Sequence, residues 1–252
     1  MTATETGTVT VVPSVHFSPT HRRRVREMIL EREPDVVAVE LDERRYQRLE
    51  RRGGDGFANV YEELPPPTAL VYATLQAIQR TIVRLYGLDP GETEMETAIE
   101  TAAETETDVA LVDEPITETM TALSRAVGVD TIPKLMVRSQ LLSPHERLAQ
   151  LEVMTTPFRE IEHGDDVEPL IDAMRTLLPE VTSVLIDRRD RAMAERLHRL
   201  QNAGHDVVAV VGAGHHNGIE RTLAELEATN AELDVDVPIR RPTREVTTIP
   251  IE

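Results

Sequence analysis

Four short apolar runs punctuate the chain, and each leads to a polar residue able to bind a metal or move a proton. Val9-Thr10-Val11-Val12 leads to His16, Val36-Val37-Ala38-Val39 to Glu40, Val109-Ala110-Leu111-Val112 to Asp113, and Val207-Val208-Ala209-Val210-Val211 to the segment holding His215. Continuous β-branched runs, as opposed to alternating ones, predict strands buried on both faces, as in a parallel sheet covered by helices. Ligands of such sheets bind beyond the carboxyl ends of the strands, so the four polar residues are expected along one edge.

Between these runs the pattern turns helical. Helices are predicted at about 19–32, broken by Glu33-Pro34-Asp35, and at 42–52, closed by Gly53-Gly54. Further helices follow at about 66–86, 93–106, 115–127, 134–142, 144–154 and 166–178, with Pro133, Pro144, Pro157 and Pro179 as punctuation. A long helix is expected at 180–202 and another at 219–231. The tail, 235–252, carries Pro238, Pro242 and Pro250 and suits an edge strand or a surface extension. The expected fold is α/β, a largely parallel or mixed sheet flanked by helices. A helical insertion at about 62–106 and 131–179 belongs to one domain over 1–252.

Composition narrows the chemistry. There is no cysteine among the 252 residues, so any metal has to be held by imidazole and carboxylate. The net charge of −18 comes from 45 acidic against 27 basic residues, and Lys134 is the one lysine. This resembles haloarchaeal composition, in which surface carboxylates replace lysine in a salty cytosol. Thermal midpoints should then rise from low to molar salt, because the carboxylates repel one another when screening is weak. Equal midpoints would remove the halophile reading. Nucleic acid is not an expected partner, since phosphate binding needs a basic patch; His21-Arg22-Arg23-Arg24 reads as a solvated helix face. No apolar run of about 18 residues spans a bilayer, and the first residues lack the charged and apolar parts of a signal peptide. A cytoplasmic protein without a membrane span is the expectation.

The segment Gly212-Ala213-Gly214-His215-His216-Asn217-Gly218 reads as a strand-to-helix turn of small residues, where backbone N–H groups approach a ligand and His215 stands at the turn. It departs from the dinucleotide pattern, with two histidines in the phosphate space. Each site residue also has a plainer reading. His16 suits a strand-end cap as well as a ligand. Glu40 needs a partner where it ends an apolar strand, either Arg44 or Arg45 in an ion pair or a metal and its water. Asp113 suits a cap for the helix near Pro115 as well as a site role. Arg189 and Asp190 suit a surface pair, and His216 a solvent-exposed neighbour.

Taken together, these residues resemble the TraB/PrgY family, which is related to the Tiki metalloproteases. The resemblance is carried by Val12-Pro13-Ser14-Val15-His16-Phe17-Ser18, by Pro34-Asp35 through Glu40-Leu41-Asp42 with Arg44-Arg45-Tyr46, and by Pro90-Gly91 with Glu94-Met95 and Ala98-Ile99. It continues in Leu111-Val112-Asp113 with Thr117 and Thr119, in Leu185-Ile186-Asp187-Arg188-Arg189-Asp190 with Met193-Ala194, and in Val210 to His215. It spans about 8–230. The resemblance implies an erythromycin-esterase-like fold and a divalent-metal-dependent hydrolase, most readily a peptidase acting on peptides. Of the family's two Gly-x-x-His motifs, the second is intact at Gly212–His215, while the first is altered to Pro13-Ser14-Val15-His16; Glu40 matches the family glutamate. The implied ligands of Mn, Co or Zn are His16, Glu40 and His215. Glu40 serves as ligand or general base, and Asp113 belongs to the same site. Arg45 or Arg189 stabilises the oxyanion, the resemblance turning Arg189 into the site. The alternative is a non-catalytic regulatory module that binds a peptide or haem at the same edge. A homodimer is the default assembly.

Overall fold

A computed structural model describes residues 6–15, 19–50, 93–128, 130–140, 163–229 and 231–242. His16, the helices expected at 66–86 and 144–154, and Gly53-Gly54 lie outside these described residues. The described elements, in chain order, are β1 (Val9–Ser14), α1 (Pro19–Arg32), β2 (Val36–Val39), α2 (Glu43–Glu50), α3 (Glu94–Glu104), β3 (Asp108–Leu111), α4 (Ile116–Ala126) and α5 (Thr131–Ser139). After a 3₁₀ turn at Gly164–Asp166 come α6 (Glu168–Leu177), α7 (Pro179–Thr182), α8 (Arg188–Asn202), β4 (Val207–Gly212), α9 (Ala213–Thr229) and β5 (Ile239–Arg240).

The five strands form one mixed sheet in the order β1-β4-β2-β3-β5. The first four run parallel, and β5 pairs antiparallel with β3, so the tail supplies an edge strand as its prolines suggest. Every residue of β2 is buried, because β2 is interior to the sheet and helices cover both of its faces. The two faces are read off alternate residues. Val37, Val39, Val109, Leu111, Val208 and Val210 join Val25 and Ile29 of α1, Tyr46 of α2, and Met95, Ala98 and Ala102 of α3. Val36, Ala38, Ala110, Val207, Ala209 and Val211 join Met193, Ala194, Leu197 and Leu200 of α8 and Ile219, Leu223 and Leu226 of α9.

Local chemistry explains the element ends. Thr93 and Glu96 form a capping box at the start of α3, with Glu96 N donating to Thr93 Oγ1 at 3.2 Å and Thr93 N to Glu96 Oε2 at 2.6 Å. Pro13 lies inside β1, not in the loop after it. The strand tolerates this because, among the described residues, β1 is an edge paired only with β4, so a missing N–H costs it little. The long helix expected at 180–202 runs through 179–202 but is widened by one π turn, Ser183–Asp187, immediately before Arg188 and Arg189. Such turns are common where a helix has to aim side chains into a site. The glycine-rich segment is not a turn. Helix α9 begins at Ala213, directly after β4, so His215 and His216 stand on its first turn.

The sheet order itself builds the edge. Helices α1 to α3 lie on one face and α8 and α9 on the other, and β4 inserts between β1 and β2, so Gly212 ends beside Ser14 on one side and two residues beyond the Val39–Val210 pair on the other. Among the described residues no helix is long and apolar enough to cross a membrane.

Candidate functional site

Arg189, from the start of α8, is the centre of the carboxyl edge. Its guanidinium carries five N–H groups, and the structure uses all five. Nε donates to Asp113 Oδ1 at 3.0 Å, and Nη2 donates to Asp113 Oδ2 at 2.6 Å and to Glu40 Oε1. Nη1 donates to the Leu185 carbonyl at 3.3 Å, within the π turn, and lies 3.0 Å from His215 Nε2. The surface-pair reading of Arg189 and Asp190 is thereby corrected: Asp190 is only 3% exposed, and both side chains enter the interior where α8 packs on α9 and the strand ends.

Glu40 follows β2 and is buried. Its Oε2 accepts from Gly212 N at 2.7 Å, its Oε1 accepts from Arg189, and its backbone N donates to Val210 O at 3.2 Å. The ion-pair partner the structure gives is Arg189 from the far helix, not the sequence neighbour Arg45, which turns to Asp42 and Asp113 instead. A side chain at Gly212 would press on the carboxylate, since its Cβ would stand 3.2 Å from Glu40 Oε2.

Asp113 is bound by two guanidiniums, with Arg45 Nη2 donating to the same Oδ2 that Arg189 holds. Burial by itself would raise its pKa, but the charges of Arg189 and Arg45 outweigh that and hold it well below the usual carboxylate range. The value lies below that of the unfolded chain, so the stability it contributes is present above about pH 4 and lost as the pH falls further. Acid unfolding of the wild type should therefore steepen below about pH 4 and flatten in Asp113→Asn; equal slopes would remove Asp113 from the acid transition. Asp190 acts in the opposite sense, because burial pushes its carboxyl above the ordinary range against the pull of His215. Its contribution is fully present in acid and is lost as the pH rises through that raised value.

Asp113 does not cap the helix that follows it. That role belongs to Asp42, whose Oδ1 accepts from Arg45 N at 2.8 Å and whose Oδ2 accepts from Ile116 N at 2.7 Å. One buried carboxylate thus caps α2 and α4 together and also receives Arg45 Nε at 3.2 Å. Sequence reading quoted Asp42 but gave it no role; its position three residues before Arg45 was the available N-cap signal. Among the described residues nothing engages Arg45 Nη1, and this side chain is 21% exposed, so both Nη1–H donors remain at the edge.

His215 is buried between Glu40, Arg189 and Asp190. Its Nε2 stands 3.4 Å from Glu40 Oε1, and its Nδ1 2.6 Å from Asp190 Oδ1. His216 is buried as well, at 9% exposure, and contacts Asn217 Oδ1 at 3.1 Å, away from this cluster's partners; the solvent-exposed reading is corrected. Of the sequence-predicted site, Glu40, Arg45, Asp113, Arg189 and His215 come together in one network. His16 lies outside the described residues, although β1 ends two residues earlier at Ser14, whose register partner is Gly212.

A divalent ion has two donors of fitting spacing here. Two ligands at about 2.1 Å from one tetrahedral ion stand about 3.4 Å apart, the separation of His215 Nε2 and Glu40 Oε1. A carboxylate behind the other ring nitrogen, as Asp190 is, is the usual support of a ligating histidine. Against these, the Arg189 guanidinium touches both donors, and among the described residues no three His, Asp or Glu side chains form a ready metal cluster. Among the described residues, Arg45 and Arg189 are the guanidiniums that face the carboxylates of Glu40, Asp42 and Asp113.

A family model described as TraB/PrgY/gumN matches residues 2–234. An uncharacterised protein of Methanocaldococcus jannaschii is 31% identical over 238 residues, covering 90% of this chain and 55% of that relative. The chain therefore spans about half the length of the curated relative it matches.

Proposed function

Because the chain belongs to the TraB/PrgY/gumN family, we propose that its carboxyl edge is the active site of a divalent-metal-dependent hydrolase acting on peptides. The observation that carries this reading is the 3.4 Å approach of His215 Nε2 to Glu40 Oε1, two donors from different elements at the spacing of ligands on one ion. His215 and Glu40 would hold Mn, Co or Zn, with His16 as the third ligand carried by sequence alone. When bound, the ion polarises a carbonyl and lowers the pKa of a water toward neutrality.

This chain's own residues do the rest. Glu40 presents Oε1 either to the ion as a ligand or to the attacking water as proton acceptor, while Gly212 N keeps Oε2 in place at 2.7 Å. Arg45 Nη1 donates to the developing oxyanion, because Arg189 has spent every donor on protein groups. Asp42 and Asp113 hold the remaining face of Arg45 and so orient that donor. Arg189 and the ion compete for the same two donors, which makes the guanidinium a counter-charge for the metal-free edge.

A second reading is a non-catalytic module that binds a peptide or haem at this edge, and the fully satisfied Arg189 network favours it. Incubation of protein purified in high salt with a peptide library separates the two, with and without added Mn, Co or Zn and with His215→Ala as the control. Metal-dependent cleavage abolished by the substitution supports the hydrolase. Peptide or haem binding without cleavage supports the module, and the absence of metal binding on titration sinks the metal assignment.

A further inference from the structure

We propose that Asp190 is a positioning residue that fixes His215 as the Nδ1–H tautomer and thereby leaves Nε2 as the atom facing Glu40 and the ligand. The inference deepens the hydrolase reading, yet it concerns only atoms of this chain. A guanidinium has no acceptor, so the 3.0 Å contact between Arg189 Nη1 and His215 Nε2 requires Nε2 to accept. The proton of the neutral ring then sits on Nδ1 and is donated to Asp190 Oδ1 at 2.6 Å. Two consecutive residues of α8 clasp the two nitrogens of one ring, and both dictate the same tautomer.

An orienting partner is needed because a competing arrangement lies close by. Glu40 Oε1 is 3.4 Å from Nε2 and would attract a hydrogen placed there. A ring with Nε2–H has no lone pair left for a proton or a cation at that atom. Asp190 suppresses this form by offering the better acceptor on the opposite side, in a buried position where a lost hydrogen bond is costly.

Gly218 is the sequence feature that admits Asp190. It stands three residues after His215, on the same side of α9. A Cβ at this position would lie 1.8 Å from Asp190 Oδ2 and 2.5 Å from its Cγ. The last glycine of the Gly212–Gly218 segment therefore serves the seating of a carboxylate between α8 and α9, not contact with a ligand backbone.

The test is the tautomer of His215, read from long-range proton–nitrogen couplings in histidine-labelled protein at molar salt, alongside peptide turnover. The wild type should show Nδ1–H. Asp190→Ala leaves Arg189 alone to hold the ring, so it should lower the Nδ1–H fraction in favour of Nε2–H and lower kcat about 10- to 100-fold, the range seen when an outer-shell partner is lost, with KM little changed. Asp190→Asn keeps an acceptor oxygen and should retain Nδ1–H with part of the turnover, while Gly218→Ala should reproduce the alanine variant by displacing the carboxylate. A wild-type ring protonated at Nε2, or an Nδ1–H fraction undiminished in Asp190→Ala, overturns the proposal. If Asp190→Ala does not fold, the wild-type spectrum and Asp190→Asn decide it. A tautomer shift as stated in a protein that cleaves no peptide would leave Asp190's role standing and remove the hydrolase reading.

Discussion

Arg189→Gln should lower stability by about 3–5 kcal/mol, the cost of stripping one partner from a buried charge cluster. Glu40 loses the guanidinium at Oε1 and Asp113 keeps Arg45 and the Glu114 backbone N–H, while both carboxylates stay buried. Glutamine ends two bonds short of the guanidinium Nη atoms and offers only two N–H donors in place of five. Urea unfolding at molar salt would measure the loss as a fall in midpoint. The same variant should gain stability from added Mn, Co or Zn well beyond the gain of the wild type, because the guanidinium no longer competes for His215 Nε2 and Glu40 Oε1. A variant as stable as the wild type would show that the network is not the support of this edge. Equal metal responses in the two proteins would show that Arg189 and the ion do not share donors.

Glu40→Gln should remove most turnover, about 10² to 10⁴ in rate, since an amide cannot take the proton that a carboxylate takes. It should also cost stability, for a reason only the structure provides. Oε1 and Oε2 both accept, from Arg189 and from Gly212 N, so the amide NH₂ must face one donor with another. An unsatisfied buried donor costs about 1–3 kcal/mol. The loss should stay below that of Arg189→Gln, because Arg189 keeps its two bonds to Asp113. A stable variant with full turnover would exclude Glu40 as the base. Unfolding as severe as that of Arg189→Gln, with turnover intact in the folded fraction, would assign it to structure alone.

The four strands were legible from sequence because a strand covered on both faces has to be apolar along its whole length, and Val36–Val39, Val109–Val112 and Val207–Val211 say so without context. Their carboxyl ends gave Glu40, Asp113 and His215 as edge residues for the same reason. The resemblance carried by the motif blocks brought in Arg45 and Arg189. Partners were a different matter. Glu40 and Arg189 lie 149 positions apart, and their meeting depends on β4 inserting between β1 and β2 and on α8 starting, after the π turn, at that edge. Local spacing pointed Glu40 to Arg44 or Arg45 and Asp113 to a helix cap, whereas Asp42 caps both helices and leaves Asp113 to the arginines. Asp190 read as a surface residue because a charged pair on a polar helix has no periodic signal of burial; only the packing of α8 on α9, with Gly218 clearing the space, decides that it faces His215. Apolar patterning is a property of single segments and survives in the sequence, while the pairing of buried charges is set by which segments the sheet order brings together.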